Sequence, residues 1–523
     1  MSELGVISPK ALKELVRNGG EYAILDIRDQ GIYYDRHLLL ASCLPIGRLE
    51  LDLERLVPRK TTPIILVDET VTDEIKNVAH QMEQMGYSDV EVLEGGLKNW
   101  EAHGYELYSG INVPSKAFGE FIEHSEDTPR ISAQDLEKKI RENEDIVILD
   151  SRPMEEFNKI SIPTGSNCPG GELVYRAFDI PKNPDTLFVV NCAGRTRSII
   201  GAQSLINAKF PNKVVALKDG TMGWQLAGFT PNSGSTEHTP KPSLDAHIAA
   251  KRAAKEVFDK YRIQRINVDD LKKLQGDTSK TTYVLDVRTR EEFLEGHLEG
   301  AHHAPGGQLV QATDEYMATR NAHVVLYDTD EVRASMTASW LKQMKWDHVY
   351  VLEGHENFLN KKQNDSIECE FPIITSFDLR NRNPNSNVVV LDFSTSLQYR
   401  EAHIEGAVWA MRSRAAEYKK LVSENATFIL YSREPQLSVL AARDMKKVFK
   451  NPKIFLLFEN ESTWRAAGLE VATGFTNLST TANDIWYKPY ERSSSDTGAM
   501  QGYLDWEVNL VEQLKRDGDL VFS

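Results

Sequence analysis

The segment at residues 188–205 reads Phe188-Val-Val-Asn-Cys192-Ala-Gly-Arg195-Thr-Arg197-Ser-Ile-Ile-Gly-Ala-Gln-Ser-Leu205. Its first part is a short apolar run of the kind that forms a buried strand, and the run ends at Cys192. A loop with one glycine and two arginines follows, and beyond it apolar residues recur at helical spacing. The segment therefore predicts a strand, a loop and a helix, with a thiol at the strand end and cations beside it.

The same frame occurs four times along the chain. Each copy begins with a phrase in which Ser, Asn or Thr precedes an apolar-periodic segment, as a helix N-cap does. A strand that ends in aspartate and a second apolar strand follow. The spacing from that aspartate to the residue that opens the loop is 42 positions in three copies and 40 in the fourth: 26 to 68, 150 to 192, 286 to 328 and 392 to 432. This regularity indicates four homologous units.

Short apolar strands alternate with helical patterns in every copy, which is typical of an α/β fold. We predict four tandem domains, each a mainly parallel sheet with helices on both faces. A Pro/Gly/Ser-rich linker at 230–243 and an Ala/Lys-rich helix at about 245–260 separate the second copy from the third. The predicted divisions are unit one at 1–112, unit two at 113–232, unit three at 233–370 and unit four at 371–523.

A C-terminal amphipathic helix is predicted from positions 503, 507 to 508, 511 and 514, whose helical spacing assigns them to one apolar face although residue 507 is a glutamate. Its apolar face predicts docking, either on the body of the protein or on a second subunit, so a homodimer is one of two arrangements left open.

Composition excludes several classes of protein. The chain has 523 residues, of which 41% are hydrophobic and 26% charged, as in globular proteins that fold in water. The net charge of −16 argues against nucleic acid or an anionic membrane as a partner. We find no signal peptide and no membrane-spanning run. The four cysteines are too scattered for a disulfide framework or a metal site, so we expect a cytoplasmic protein without metal or cofactor.

The loop after the strand has the features of a nucleophilic site. A helix N-terminus and neighbouring cations favour the thiolate form of a cysteine, and Cys192 has both. The amides of the loop, with Gly194 allowing the backbone to curl, are expected to point at an anion. The guanidiniums of Arg195 and Arg197 suit an oxyanion donor. The alternative is an inert buried cysteine, which the two arginines and the glycine disfavour.

With these motifs in hand, the chain resembles the rhodanese (sulfurtransferase) superfamily, and within it the four-domain bacterial thiosulfate sulfurtransferases with a single active-loop cysteine. The resemblance rests on four features. These are the Asp-x-Arg pairs (Asp26/Arg28, Asp150/Arg152, Asp286/Arg288), the phrase Glu292-Phe-x-x-Gly-His-Leu-Glu-Gly-Ala301, the loop Cys192-Ala193-Gly194-Arg195-Thr196-Arg197, and Glu94-Gly-Gly96 followed by Trp100. The resemblance implies four rhodanese-like domains. It also implies a persulfide relay from thiosulfate, or another small sulfane-sulfur donor, through Cys192 to a thiol or cyanide, with sulfite released.

Two other reaction types and one other class of protein compete with this interpretation. Phosphatases of the related fold need a Cys-x5-Arg loop around a phosphoryl group, whereas this loop is Cys-x4-Arg, ending at Arg197. The active loop of the related mercaptopyruvate enzymes is similar to Cys-Gly-Ser/Ala-Gly and lacks arginines, so thiosulfate is the favoured donor for this chain. The alternative from another class is a persulfide-carrying scaffold that presents sulfur to a partner protein.

The other three copies lack the thiol at the loop opening, where they have Asp68, Asp328 and Ser432. We expect these units to be structural or partner-binding, and a carboxylate can occupy the anion site of its own loop permanently.

The remaining predictions concern side chains near the loop and the repeated positions. Arg152 and Arg176 are candidates for binding the anion, with Arg152 also expected to pair with a local acid. Cys168 is either a buried apolar residue, which we favour, or a resolving thiol. His297 and His403 are predicted to bond to backbone, and the repeated aromatic residues are predicted to pack in the core: Trp100, Trp224, Phe358 and Trp464.

Overall fold

Four parallel sheets follow one another along the chain in the computed structural model, which describes residues 4–180, 183–354, 369–382, 387–421, 423, 426–492 and 496–523. The α/β class and the repetition of the unit are confirmed. The divisions at 112, 232 and 370 stay a partition that we propose. Phe358 lies outside the described residues.

Unit one has a sheet of order β1-β5-β4-β2-β3, with every pair parallel. Its elements are β1 (Gly5–Ile7), α1 (Pro9–Arg17), β2 (Tyr22–Asp26), α2 (Gln30–Tyr33), β3 (Ala41–Cys43), α3 (Leu49–Leu56), β4 (Ile64–Val67), α4 (Asp73–Gln84), β5 (Val90–Leu93) and α5 (Gly96–Ala102). A longer helix, α6 (Val113–Ser125), leads to the next unit.

Unit two repeats this order as β6-β10-β9-β7-β8. Its elements are β6 (Arg130–Ile131), α7 (Ala133–Arg141), β7 (Ile146–Asp150), α8 (Met154–Lys159), β8 (Ser166–Asn167), α9 (Leu173–Arg176), β9 (Leu187–Asn191), α10 (Thr196–Asn207), β10 (Val214–Leu217) and α11 (Gly220–Leu226). The predicted linker helix is α12 (Leu244–Lys260).

Unit three has the order β11-β16-β15-β12-β13. Its elements are β11 (Gln264–Ile266), α13 (Val268–Gly276), β12 (Thr282–Asp286), α14 (Arg290–Glu295), β13 (His302–His303), α15 (Gly306–Gln311), α16 (Thr313–Tyr316), β14 (Thr319–Arg320), β15 (His323–Tyr327), α17 (Val332–Gln343) and β16 (Val349–Leu352). Strand β14 leaves its own unit and pairs antiparallel with β2 of unit one.

Unit four has a four-stranded sheet of order β19-β17-β20-β21 and a small antiparallel pair, β18 with β22. Its elements are α18 (Ser376–Arg380), β17 (Val388–Asp392), α19 (Ser396–Glu401), β18 (His403–Ile404), β19 (Val408–Trp409), α20 (Ala415–Lys419), β20 (Thr427–Tyr431), α21 (Pro435–Val448), β21 (Lys453–Leu457), α22 (Glu461–Ala466) and β22 (Val471–Ala472). The C-terminal part forms α23 (Pro489–Arg492) and α24 (Thr497–Asp517).

The repeated sequence markers have structural causes. The predicted N-caps each accept a hydrogen bond from the amide three residues on: Ser8, Ser132, Asn267 and Thr375. In three units the strand-end aspartate binds the arginine two residues later, whose guanidinium also donates to a carbonyl eight residues further on: Arg28 to Arg36, Arg152 to Ile160 and Arg288 to Gly296. The Asp-x-Arg pair thus ties the strand end to the loop behind the following helix.

The predictions for histidines and tryptophans are confirmed. His297 Nδ1 lies 2.9 Å from the Phe293 carbonyl oxygen and His403 Nδ1 lies 2.7 Å from that of Tyr399. Trp100, Trp224 and Trp464 are buried in the cores of their units.

Units two and three share one interface. Their backbones meet where Gly171 and Gly307 lie face to face, and a Cβ on Gly307 would lie 2.8 Å from the Gly171 nitrogen. Apolar side chains of unit two, among them Ile199 and Ile200, belong to the core cluster of unit three. Units one and four meet through the corresponding turns, with Arg48 bound to Glu434 at 2.7 Å.

Helix α24 docks on the body of the protein rather than being left free for a second subunit. Leu510 and Leu514 pack against α6 and Tyr108. The predicted apolar face is partly wrong: Val508 is 44% exposed, whereas Glu507 is fully buried. Among the described residues, no helix combines the length and apolar character that crossing a membrane requires.

Candidate active site

Cys192 follows the central strand β9 directly and precedes α10, whose first residue is Thr196. Its side chain lines a cavity of about 160 Å³, although the residue as a whole is only 2% exposed. The Cys192 carbonyl accepts the amide of Thr221 at 2.9 Å, and the Ala193 carbonyl accepts that of Met222 at 3.0 Å. The carboxyl edge of a parallel sheet thus presents one thiol to a cavity large enough for a small anion.

A tight turn after β10 makes this approach possible. Gly220 has φ of +57°, and a Cβ there would lie 2.4 Å from the Cys192 carbonyl oxygen. Unit one repeats the arrangement, since Leu97 donates its amide to the Asp68 carbonyl at 3.0 Å. Gly96 corresponds to Gly220: its φ is +64°, and a Cβ there would lie 2.5 Å from the Asp68 carbonyl oxygen. A glycine at this position therefore lets the turn touch the loop in both units.

The loop amides are available for an anion. In the part of the chain that the structure describes, the N–H groups of residues 193–197 donate to no protein acceptor. They stand at the N-terminus of α10, where free amides and the helix dipole favour negative charge. The predicted anion site of the loop therefore has the required backbone donors.

Gly194 has another role than the one predicted. Its φ is not in the left-handed region, so it does not curl the loop. A Cβ there would lie 2.9 Å from Met222 Cε and 3.2 Å from Glu507 Oε2. The glycine is needed because α11 and α24 approach the loop closely.

Arg195 is committed to carboxylates. Its guanidinium donates to Glu120 at 2.6 and 2.7 Å, to Asp219 at 2.9 Å, and to Glu123. Burial raises the pKa of Glu120 to about 7, against the opposing effect of Arg195. The expectation that Arg195 binds the donor anion is not supported by this geometry, because three carboxylates hold it as a brace for the loop.

Arg197 is also paired, and like Arg195 it lines the cavity. It donates to both carboxylate oxygens of Glu156, at 3.1 and 2.8 Å, and to Gln308 of unit three at 3.3 Å. Burial would lower the pKa of Arg197, but the charges of Glu156 and of the Cys192 thiolate raise it. Arg197 therefore places a permanent cation beside the thiol while Glu156 fixes its orientation.

Thr196 and Ala193 line the same cavity as Cys192, as predicted for the loop. The Thr196 hydroxyl donates to Glu507 Oε1 at 3.3 Å, which joins the start of α10 to the C-terminal helix. Lys116 Nζ lies 3.3 Å from the same oxygen. The sequence pattern does not predict a role for Glu507 at this site, because helical spacing assigns the residue to the apolar face of its helix.

Two predicted anion-binding residues lie elsewhere. Arg152 is fully buried and is paired with Asp150 at 2.7 Å, which agrees with the predicted pairing with a local acid. It does not line the cavity. Arg176 donates to Glu172 at 2.7 Å and to the Thr239 carbonyl at 3.0 Å, and it too lies outside the cavity lining. This geometry does not support their predicted contact with the anion, because nearer carboxylates hold both guanidiniums.

Cys168 is a core residue. It is fully buried among apolar side chains such as Leu149 and Leu173. Burial raises the pKa of its thiol to about 12. The favoured prediction, a buried apolar role, agrees with these surroundings.

The cavity walls come from the loop and from several other parts of the chain. Besides the loop, the lining residues are Ile111, Asn112 and Lys116 before and within α6, Glu156 of α8, Met222 of α11, Gln308, Gln311, Ala312 and Glu315 of unit three, and Trp486, Lys488, Pro489, Tyr490 and Tyr503 of the C-terminal part. These residues were not predicted, although the aromatic run Trp486-Tyr487-Lys488-Pro489-Tyr490 is a visible signal in the sequence.

The other loop openings have no thiol. Asp328 accepts the amides of Glu331 at 2.6 Å and Arg333 at 2.7 Å, so its carboxylate occupies the anion site of its own loop. Burial and the neighbouring Asp330 raise the pKa of Asp328 to about 7. Asp68 accepts the amide of Glu69 at 2.6 Å. In unit four the Ser432 hydroxyl accepts the amide of Glu434 at 3.1 Å.

Within the described residues, no group of three or more His, Cys, Asp or Glu side chains is arranged to hold a metal ion.

A family model described as "Rhodanese-like domain" matches residues 8–103, 132–227 and 267–357. A crystal structure of thiosulfate sulfurtransferase from Pseudomonas aeruginosa superposes with a TM-score of 0.91 at 39% identity and covers 99% of each chain. The putative sulfur carrier protein YrkF of Bacillus subtilis is 30% identical over 136 residues, which are 24% of this chain and 72% of that protein. Centrosomal protein of 41 kDa B of Xenopus laevis is 31% identical over 86 residues, 15% of this chain and 24% of that protein.

Proposed function

The chain belongs to the rhodanese-like domain family, and from that premise we propose that this sulfurtransferase takes sulfane sulfur from thiosulfate, holds it as a persulfide on Cys192 and passes it to cyanide or a thiol. Its similarity to a thiosulfate sulfurtransferase along nearly the whole of both chains supports thiosulfate as the donor. The observation that carries the proposal is the thiol of Cys192, placed on a cavity between free loop amides and the Arg197 cation.

In the first half-reaction the Cys192 thiolate attacks the outer sulfur of thiosulfate. A sulfur–sulfur bond forms to Cys192 as the bond within thiosulfate breaks, and sulfite leaves with the electron pair of the broken bond. Negative charge spreads over three sulfur atoms in the transition state. The amides of residues 193–197 and the helix N-terminus stabilise that charge without having to reorient.

In the second half-reaction a thiophilic acceptor removes the sulfur. Cyanide, or a thiolate, attacks the outer sulfur of the persulfide, and Cys192 leaves as the thiolate. The same amides and Arg197 that bound the persulfide anion then hold the regenerated thiolate. No external oxidant or reductant is needed, because the transferred atom keeps its oxidation state as sulfane sulfur.

We extend the proposal to the cellular setting. All four cysteines are free, and Cys192 must stay reduced to be loaded, so the reducing cytoplasm suits this chemistry. The units without a cysteine at the loop opening serve as supports: unit three contributes Gln308, Gln311 and Glu315 to the cavity wall.

The test measures thiocyanate formation from thiosulfate and cyanide by the full chain. We expect activity in the wild type and none above background for Cys192→Ala. Intact and peptide mass measurements after incubation with thiosulfate alone are expected to show one added sulfur atom on Cys192. Undiminished activity in the variant, or sulfur found on Cys168 instead, would refute the proposed mechanism.

A second candidate, a sulfur-carrier scaffold, is favoured by the similarity to a putative sulfur carrier protein over 136 residues. Turnover separates the two functions. A carrier would be loaded once by thiosulfate and then release sulfur slowly with small acceptors, whereas the proposed enzyme continues at a constant rate for many cycles.

A further inference from the structure

The C-terminal segment 483–490 forms one wall of the Cys192 cavity, although it follows the last strand of unit four. Trp486, Lys488, Pro489 and Tyr490 line the cavity. Tyr487 does not line it, and its hydroxyl donates to Ser396 Oγ of unit four at 2.5 Å. The segment thus contacts both the cavity and unit four.

Contacts with unit one hold this segment in place. Gln30 donates its amide to the Asp484 carbonyl at 3.2 Å and accepts the Trp486 amide at 3.1 Å. The Trp486 ring stacks between Tyr34, at 4.9 Å, and Tyr503, at 5.7 Å. The position of the segment is therefore determined by specific contacts with unit one and with α24.

Two residues of the segment that line the cavity carry hydrogen-bond donors without acceptors. Within the described residues, the indole Nε1 of Trp486 and the hydroxyl of Tyr490 are buried without a hydrogen-bond partner. A buried donor left unpaired costs about 1–3 kcal/mol, and a bound ligand would supply the missing acceptor. Lys488 adds an ammonium group, which lies 3.3 Å from Glu156.

The charge balance of the cavity favours an anion as the ligand. Burial would raise the pKa of Glu156, but Arg197 and Lys488 lower it well below its usual value, so this carboxylate is neutralised by two cations. Burial raises the pKa of Glu315, which favours its uncharged form. Lys116 lies opposite, paired with Glu507. An indole N–H, a phenol and an ammonium group around one small cavity match the oxygens of an oxyanion.

We propose that Trp486, Lys488 and Tyr490 bind the sulfonate oxygens of thiosulfate, so that the C-terminal segment, rather than the loop arginines, selects the donor. The inference rests on the proposed function. The guanidinium of Arg195 is held by three carboxylates, and that of Arg197 is oriented by Glu156 and Gln308 as the cation beside the thiol. With the sulfonate held by the segment, the outer sulfur is directed to Cys192, and the same donors stabilise the departing sulfite.

The test compares two sulfur donors, thiosulfate and an organic persulfide without a sulfonate group. Tyr490→Phe and Lys488→Met are expected to lower kcat/KM for thiosulfate by about tenfold and about ten- to a hundredfold, since each removes a bond to a charged ligand. Both variants should stay within about twofold of wild type with the organic persulfide. Tyr487→Phe is the matched control, because its hydroxyl faces unit four, and it should leave both rates unchanged.

A binding measurement makes the test independent of turnover. Calorimetric titration of thiosulfate into Cys192→Ser is expected to show binding that weakens about tenfold when Tyr490→Phe is added. Equal losses with both donors, or thiosulfate binding and kinetics unaffected by Tyr490→Phe and Lys488→Met, would overturn the inference while leaving a Cys192 persulfide enzyme intact. If thiosulfate does not transfer sulfur to Cys192 of the wild type, the proposed function is refuted. The calorimetric titration would still decide whether the C-terminal segment binds thiosulfate.

Discussion

The loops that open at Cys192 in unit two and at Asp328 in unit three share one framework. Each loop follows the central strand of its sheet and leads into a helix. Five residues after the loop opening, each loop has an arginine bound to a glutamate of its own unit: Arg197 to Glu156 and Arg333 to Glu292. Each arginine also reaches across the interface, Arg197 to Gln308 and Arg333 to Glu172. The two units therefore face each other as a pseudo-symmetric pair.

The loops differ in what the amides bind. In unit three the Asp328 carboxylate accepts two of them, those of Glu331 and Arg333, at 2.6 and 2.7 Å. The corresponding amides of Arg195 and Arg197 have no protein acceptor among the described residues. Unit three therefore differs from unit two in two respects: it lacks the nucleophile, and an internal carboxylate occupies amides that unit two leaves available to an anion.

The largest effect is expected when the unit-three arrangement is copied into unit two. Cys192→Asp should lower sulfurtransfer by about 10⁴-fold or more, because the nucleophile is lost and the new carboxylate occupies the loop amides. The measurement is thiocyanate formation together with thermal unfolding in the presence of thiosulfate.

Cys192→Ser is the control for occupancy of the loop. It is equally inactive, but its amides stay free, so a hundredfold excess of thiosulfate over Kd should stabilise it by about 2.7 kcal/mol. Cys192→Asp should gain little. Equal stabilisation of both variants would show that the carboxylate does not enter the anion site.

An intermediate effect is expected from the paired arginines. Arg197→Met should lower kcat/KM by about a hundredfold, because the cation beside the thiolate is lost and Glu156 is left in the cavity. Arg333→Met removes the partner of Glu172 and Glu292 in a fully buried position and should lower the free energy of unfolding by about 3 kcal/mol.

Activity per folded molecule is the readout that separates the two arginines. Arg333→Met should stay within about twofold of wild type at a temperature where it is folded. A hundredfold loss in Arg333→Met as well would mean that the interface between units two and three, rather than the loop cation, controls the reaction.

Much of the site was predictable because its residues are close in sequence. Cys192, its helix and its loop follow from a local strand–loop–helix pattern, and the Asp328 substitution follows from aligning the copies. The carboxylates of the arginines were not predictable. Glu120 and Glu123 lie on α6, far from Arg195 in sequence, and a pattern within one repeat has no information on contacts between elements.

The C-terminal wall of the cavity could not be predicted for the same reason. Lys488 lies near Glu156 of unit two because the C-terminal segment is held by contacts with units one and four. Glu507 is a related case: helical spacing assigns it to the apolar face of α24, yet its burial serves Thr196 and Lys116 rather than packing. The repeats predict the scaffold, and the contacts between repeats determine which donors face the substrate.

The smallest effect is expected at Cys168. The corresponding residue of unit three is Ala304, because each donates its amide, at 2.8 Å, to the carbonyl oxygen of the aspartate that ends the preceding strand. Cys168→Ala copies that residue and should cost about 1 kcal/mol of unfolding free energy, because a buried sulfur is removed from a packed core. Sulfurtransfer should be unchanged within about twofold, since a thiol whose pKa is raised to about 12 is not a thiolate at neutral pH. Steady-state assays and mass measurement of the persulfide on Cys192 test this, with Cys43→Ala, a partly exposed cysteine of unit one, as the control. A longer-lived persulfide in Cys168→Ala than in that control would identify Cys168 as a resolving thiol and contradict its core role.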